Sequence, residues 1–274
     1  MSDAEYWNGI VGTNWAEHYR RTDRSFGGLT ERLLARMRDF RFARVLDIGC
    51  GAGELSLAIA RGRPGISVLG VDVSAPLVEA AHTRGARLTN VAFELGDASQ
   101  WSSADGFRPD LMVSRHGVMF FEDPAAAFTH LAGIAAPGAN LLFSCFRGPS
   151  ANELFTGVGG LLPAPDSPPD PAAPGPMAFA DPDHVRSILE PAGWGVIEFE
   201  SFDFAMVVGA GDDPVADAVD YFLTIGPAAA HARELNAADR AAFVERLTSY
   251  VETKRFEGIV ALRAGAWIVN AKLS

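Results

Sequence analysis

The residues best suited to do chemistry lie between Asp47 and His116. Asp47-Ile48-Gly49-Cys50-Gly51-Ala52-Gly53 sets an acid beside three alternating glycines. Glycine adopts backbone angles closed to other residues and lets the chain approach a ligand with no side chain between them. A helix starting just beyond presents free N–H groups to a carboxylate or another anion. A dinucleotide loop wants Gly-x-Gly-x-x-Gly. Here the third glycine comes one residue early and Glu54 stands in its place, where a carboxylate would repel a pyrophosphate. Asp72 ends the next apolar run, placed to accept hydrogen bonds from both hydroxyls of a ribose. Asp97 ends the run after that. Such an acidic rim suits a ligand carrying a sulfonium, an ammonium and an adenosine better than it suits NAD or FAD. Further on stand Arg115 and His116. An imidazole titrates close to neutral pH, so His116 is a candidate general base, or else a hydrogen-bond partner in a wall. Arg115 has two readings, a clamp for an acidic acceptor group or the partner of a neighbouring carboxylate. His18 is a weaker candidate base.

Alternating strands and helices must position these residues. Short β-rich runs are expected at 43–48, 67–72, 91–95, 111–114 and 140–146, with helices at 54–61, 75–84 and 124–136 between them. Pro76 sits in a first turn, and Pro137-Gly138 stops the third helix. This alternation means βαβ units, a parallel sheet and right-handed crossovers. In such a sheet the ligand lies outside the carboxyl ends of the strands, where Asp47, Asp72 and Asp97 fall. Residues 1–42 read as a helical cap before the sheet. Trp7, Val11 and Trp15 recur every fourth residue, and Leu33, Leu34 and Met37 form a core-facing stripe. Residues 43–274 make the main domain, interrupted at 147–180. That insertion holds Pro163, Pro165, Pro168, Pro169, Pro171, Pro174 and Pro176, so it is neither helix interior nor central strand. A lid or flexible loop is the expectation. A capped helix at 181–192, a strand at 194–208, helices near 214–225 and 237–254, and a last strand at 266–273 complete the chain.

Composition narrows the partners. The 274 residues are 48% hydrophobic, enough for a sizeable core. A net charge of −11 argues against nucleic acid, which needs clustered cations. The five arginines from Arg32 to Arg44 read as a solvated helix face. No apolar run is long enough to span a membrane, and the start Met1-Ser2-Asp3-Ala4-Glu5 lacks a leader's features, so a cytoplasmic location is expected. Cys50 and Cys145 are read as reduced thiols, with no disulfide framework and no metal site expected.

Val45-Leu46-Asp47-Ile48-Gly49-Cys50-Gly51-Ala52-Gly53 resembles motif I of the class I S-adenosylmethionine-dependent methyltransferases. Gly70-Val71-Asp72-Val73-Ser74 resembles their ribose motif, Leu95-Gly96-Asp97-Ala98 their adenine motif, and Pro137 to Leu142 the approach to strand five. The resemblance is strong over residues 43–146 and looser beyond. It implies a Rossmann-like α/β sheet of seven strands in the order 3-2-1-4-5-7-6, strand 7 antiparallel, with N-terminal helices and the inserted lid. It implies S-adenosyl-L-methionine as cofactor. Asp47, Gly49, Cys50, Gly51 and Gly53 would hold its methionine part, Asp72 its ribose, and Val73, Asp97 and Ala98 its adenine. Ser114 would flank the methyl group. Trp15 and Tyr19 would close over the cofactor, Trp15 having also the plainer reading of a core aromatic.

The acceptor should meet the methyl after strand four, at Ser114-Arg115-His116-Gly117-Val118-Met119-Phe120-Phe121. The Asn/Asp-Pro-Pro-aromatic tetrapeptide of DNA amino-methylating enzymes is missing there. Met119, Phe120, Phe121, Phe146 and Trp194 suggest an apolar acceptor pocket or ordinary core. The expectation is methyl transfer to a small-molecule acceptor at oxygen, by a monomer or homodimer. The alternative is a cofactor-binding fold of this type with a non-methylating or scaffold role.

Overall fold

The computed structural model describes residues 3–164, 170 and 173–274. Pro165, Pro168, Pro169 and Pro171 of the expected lid, and the first two residues of the cap, lie outside the described residues. Four short helices come first: α1 (Asp3–Asn8), α2 (Ile10–Glu17), α3 (Tyr19–Ser25) and α4 (Gly27–Arg36), the last running into a 3-10 turn at Met37–Asp39. The alternating body follows as β1 (Arg44–Ile48), α5 (Glu54–Gly62), β2 (Ser67–Asp72), α6 (Ala75–Gly85), β3 (Val91–Leu95), β4 (Leu111–Arg115), α7 (Pro124–Ile134) and β5 (Asn140–Phe146). Beyond the insertion come α8 (Pro182–Leu189), β6 (Trp194–Ala210), α9 (Pro214–Thr224), α10 (Pro227–Glu234), α11 (Ala237–Glu252), β7 (Arg255–Phe256) and β8 (Ile259–Leu273).

The sheet order is β3-β2-β1-β4-β5-β8-β6. β1 to β5 pair in parallel, and β8 runs antiparallel between β5 and β6. The expected order therefore holds, with one strand more. The two-residue β7 folds back on β8, so β8 fills the place expected for strand seven. Central strands read as continuous apolar runs because helices cover both faces. Leu46, Val113, Leu142 and Phe143 are fully buried, while Leu95 on the edge strand β3 is 58% exposed. α10 escaped the sequence reading because its Ala-Ala-Ala-His-Ala-Arg run carries no apolar stripe of large residues.

β6 and β8 outrun the other strands, with 17 and 15 residues. Their projecting ends carry α9 and receive the cap. Arg24 of α3 donates to the carbonyls of Val207 and Val208 (3.2 and 2.8 Å) and pairs with Asp217 of α9 at 2.7 Å. Arg32 of α4 makes a two-pronged bond to Glu200 of β6, both contacts 2.6 Å. Arg36 reaches Glu198 and Glu200 at 3.7 Å. The expected solvated arginine face is thus, at Arg32 and Arg36, a clamp onto β6. A bidentate arginine–carboxylate pair fixes geometry as well as charge.

The seat of α9 on β6 leaves no space at Gly209. A Cβ there would lie 1.9 Å from the Pro214 carbonyl oxygen and 2.8 Å from the Ala218 Cβ. Gly209→Ala is therefore expected to destabilise the chain by about 1–3 kcal/mol through overpacking. Equilibrium denaturation reads this directly, and an unchanged midpoint would contradict the close seat.

Candidate functional site

The turn after β1 is fixed before any ligand arrives. The N–H groups of Gly49 and Cys50 both donate to the Val71 carbonyl (2.9 and 3.1 Å), and that of Gly51 donates to Asp72 Oδ2 at 2.7 Å. Gly49 holds φ +63°, and a Cβ on it would stand 2.9 Å from the Gly117 Cα. A Cβ on Gly117 would in turn lie 2.7 Å from the Ile48 carbonyl oxygen. The first loop and the turn after β4 therefore touch backbone to backbone, which only glycine permits.

Above these two turns opens a cavity of ≈ 640 Å³, within the range of about 300–1,000 Å³ usual for small-molecule sites. Of the expected residues, Asp47, Gly49, Cys50, Gly51, Asp72, Val73, Asp97 and Ala98 line it, as do Arg115, His116 and Trp15. Three expected residues do not. Gly53 (φ +83°) is the N-cap of α5, and a Cβ there would press on Phe93 at 2.9 Å, so its glycine serves packing. Ser114 Oγ donates to the Ile48 carbonyl at 2.7 Å and accepts from the N–H groups of Gly117 and Val118 (3.1 and 3.3 Å). Its hydroxyl is spent on the turn that carries His116. Tyr19 lies beneath the Arg84 guanidinium, 4.1 Å from ring to Cζ, and not on the wall. Trp194, expected among the pocket aromatics, is buried with its Nε1 donating to the Phe128 carbonyl, whereas Met119, Phe120, Phe121 and Phe146 do line the cavity.

Burial shapes the charges. Asp47 is 1% exposed, and its one side-chain donor is Ser56 Oγ at 2.6 Å; desolvation pushes its carboxyl up to about 7. Asp72 is raised too by burial, against the opposing pull of the Ser74 and Gly51 N–H groups. Asp97 Oδ1 accepts from the Ser99 N–H at 2.9 Å. A wall of incompletely compensated acids favours a cationic ligand.

The imidazole of His116 is stacked on Phe146 at 4.2 Å and meets Phe26 edge-on at 5.5 Å. Burial holds it down to about 3, so the ring is neutral at pH 7 and does not titrate there as a free imidazole would. Its Nδ1 is 3.4 Å from Ser144 Oγ, and its Nε2 is shut from water with no partner. The residue keeps φ +66°, an uncommon backbone for a non-glycine residue, next to a functional cavity. Arg115 donates to Thr30 Oγ1 at 2.8 Å and lies 3.8 Å from Asp23, so the second of its two readings, a bound carboxylate partner, is the one seen.

Several wall residues were not anticipated. Asp23 of α3 faces the cavity, 2.7 Å from Arg84, and burial together with the Glu54 charge raises it to about 7. Glu54 is itself 2.6 Å from Arg84 and is absent from the wall. Its carboxylate is therefore compensated, and the repulsion assigned to it on sequence grounds does not operate as supposed. Met206 of β6, Tyr221 and Phe222 of α9, and Leu154 and Phe155 of the insertion close the remaining sides. Trp7 joins Trp15 and Phe120 in edge-on contacts of 5.5 and 5.4 Å, so the cap roofs the site. Among the described residues no cluster of three or more His, Cys, Asp or Glu side chains is arranged to hold a metal, and no helix is long and apolar enough to cross a membrane.

Residues 16–199 match the methyltransferase domain family. A trans-aconitate 2-methyltransferase of Methylobacterium radiotolerans is 35% identical over 96 residues, covering 35% of each chain. A ubiquinone biosynthesis O-methyltransferase of Hahella chejuensis is 31% identical over 117 residues, covering 42% of this chain and 48% of that one. This chain thus aligns with less than half the length of either relative. Among solved structures, phosphoethanolamine N-methyltransferase 2 of Haemonchus contortus, in complex with S-adenosyl-L-methionine, superposes with a TM-score of 0.59 at 15% identity, covering 100% of this chain and 60% of that one.

The raised carboxyl of Asp47 has a measurable signature. A folded-state value above the unfolded one stabilises the fold fully below the unfolded value, and that contribution is lost as pH rises through about 7. The stability of the native chain relative to Asp47→Asn should therefore grow as pH is lowered from 7.5 toward 4. Thermal unfolding of the two proteins across that range checks it, and a pH-independent difference would contradict the buried, protonatable state.

Proposed function

The chain belongs to the class I, S-adenosylmethionine-dependent methyltransferase family, and from that premise we propose that it methylates a small molecule at a hydroxyl oxygen beneath the N-terminal cap. The observation that carries this reading is that one cavity is lined both by the glycine loop with its three strand-end acids and by His116, whose Nε2 is orphaned and whose turn touches that loop.

The donor set fits the cofactor. Asp72 accepts one backbone N–H on each carboxylate oxygen, which leaves a lone pair on each for the two hydroxyls of a ribose. Gly49, Gly51 and Cys50, with Asp47 beneath them, would hold the methionine part and its ammonium. Val73, Asp97 and Ala98 would border the adenine, with Trp15 above. When bound, S-adenosylmethionine supplies an electrophilic methyl, whose carbon–sulfur electron pair leaves on sulfur as the new carbon–oxygen bond forms.

The protein's part is position, exclusion of water and the fate of one proton. Trp7, Trp15 and Phe120 cover the site, and Phe146 fixes the plane of the imidazole. With Nδ1–H directed at Ser144 Oγ, Nε2 is the ring's unused acceptor, and a turn of the side chain would present it to the hydroxyl of the substrate. An imidazole held near 3 is a weak base at rest. An oxygen that is being alkylated becomes far more acidic, so the proton passes to Nε2 late and reaches water when the product leaves.

Titration calorimetry with S-adenosylmethionine should give a saturable isotherm, weakened at least about tenfold in Asp72→Ala, the scale of one lost charge-assisted hydrogen bond. Absence of saturable binding would overturn the cofactor assignment. His116→Asn suits the left-handed backbone but cannot take up the proton. It should cut the release of S-adenosylhomocysteine by about 10²-fold or more while leaving cofactor affinity intact. Equal turnover would remove His116 from this role.

A further inference from the structure

We propose that the acceptor is an uncharged, largely apolar hydroxylic compound, whose hydroxyl meets His116 and whose apolar substituent runs into a side pocket between the insertion and α9–α10. The proposal rests on the reading of His116 given above and names the substrate class that this site takes.

Charge comes first. Among the described residues, Asp47, Asp72 and Asp97 on the cavity wall fall to the cofactor in this reading, which leaves Asp23 and Glu122 for the acceptor against one cation, Arg115. That cation is already engaged. Its guanidinium donates to Thr30 Oγ1, lies 3.8 Å from Asp23 and stands 5.7 Å from the Phe26 ring centroid. Its side chain is 16% exposed. A polycarboxylate acceptor would find no free cation here among the described residues and would meet the carboxyls of Asp23 and Glu122, in a setting where desolvated charges interact strongly. trans-Aconitate, a tricarboxylic acid named for one relative, is the kind of substrate this wall rejects.

Polar contacts come second. Phe26 and Phe146 pack on His116, and Phe155, Met206, Tyr221 and Phe222 line the same cavity. The Tyr221 hydroxyl is paired with Ser25 Oγ at 3.2 Å, and burial pushes it up to about 12. Nε2 of His116 is thus, among the described residues, the unsatisfied side-chain group of this region, and a buried orphan of that kind is costly until a ligand supplies the bond. One hydroxyl on an apolar body satisfies it. A charged or heavily hydroxylated molecule would bury further polar groups against rings.

Shape comes third. A side pocket of ≈ 50 Å³ adjoins the main cavity, with Leu154, Phe155, Phe222, Ile225 and Pro227 as shared walls. Val158, Gly159, Leu162 and Ala228 complete its lining, in which no described residue carries a charged or polar side chain. Space of that kind has no partner to offer except to an apolar substituent. Its walls come from 154–162 and 222–228, so the insertion and α9–α10 together set the length of the substituent.

The test uses the full chain with saturating S-adenosylmethionine. Release of S-adenosylhomocysteine is followed with phenol, para-ethylphenol, para-butylphenol and para-hexylphenol, and with trans-aconitate. The expected result is a kcat/KM that rises about fourfold for each methylene that enters the pocket, then levels off, with trans-aconitate inert. In Leu162→Trp the gain with chain length should vanish. Equilibrium dialysis of the same phenols, with and without S-adenosylhomocysteine, reads the pocket independently of turnover, and affinity should follow the same series. Affinity and turnover that are flat with chain length, or preference for trans-aconitate, would overturn the proposal. Loss of saturable S-adenosylmethionine binding marks failure of the cofactor reading instead, and dialysis still decides the pocket in that case.

Discussion

The carboxylate of Asp72 accepts the Gly51 N–H on one oxygen and the Ser74 N–H on the other, at 2.7 and 2.9 Å, and thereby joins the glycine loop to the start of α6. Both partners are backbone groups, so the loop's course is set by the end of β2 rather than by the side chains of the loop. Removing a carboxylate from water is costly unless hydrogen bonds replace the lost hydration. Two neutral donors replace part of it, and the carboxyl still sits above its ordinary range. The floor of the cavity is thus rigid and short of donors. A ligand with vicinal hydroxyls and a positive charge restores what folding removed.

The same shortage recurs across the site and explains why a separate cap is needed. Asp47 and Asp23 are both raised to about 7, and Arg84 bridges Asp23 of the cap to Glu54 of the body. Fixed charges at low dielectric act strongly on a ligand only if water stays out. Trp7, Trp15 and Phe120 provide that exclusion above, while the arginine clamps from α3 and α4 to β6 and α9 hold the roof in place. The long β6–β8 extension therefore has a plain purpose. It carries part of the apolar cavity wall, through Met206 and the seat of α9, and anchors the roof.

How much of this was legible in the sequence follows from where each wall is encoded. The wall of glycines and acids comes from contiguous stretches, 47–52, 72–73 and 97–98, whose glycines and acids have few other reasons to fall at strand ends. The alternation pointed to a parallel sheet, the family resemblance implied its order and its antiparallel strand, and only the two-residue β7 was added. The apolar wall is assembled from α3, the insertion, β6 and α9, whose Phe, Met and Tyr residues are indistinguishable from core until the chain is folded. Asp23 hides in the run Arg20-Arg21-Thr22-Asp23-Arg24, which reads as a solvated charged face. Gly53 and Ser114 were expected at the ligand because they flank residues that line the cavity, yet packing on Phe93 and the turn after β4 engage them. Glu54 pointed away from a dinucleotide, but its salt bridge to Arg84 shows that the acids at 72 and 97 and the family match carry that conclusion.

The central claim is that this cavity moves a methyl group from sulfur to the oxygen of a neutral acceptor. The most direct measurement is a single turnover with S-adenosylmethionine carrying a carbon-13 methyl group and para-butylphenol, followed by nuclear magnetic resonance. The predicted result is transfer of the labelled resonance from the sulfonium methyl position to that of an aryl methyl ether. A label that stays on sulfur in the presence of bound acceptor, or that arrives on carbon or nitrogen, would contradict the account.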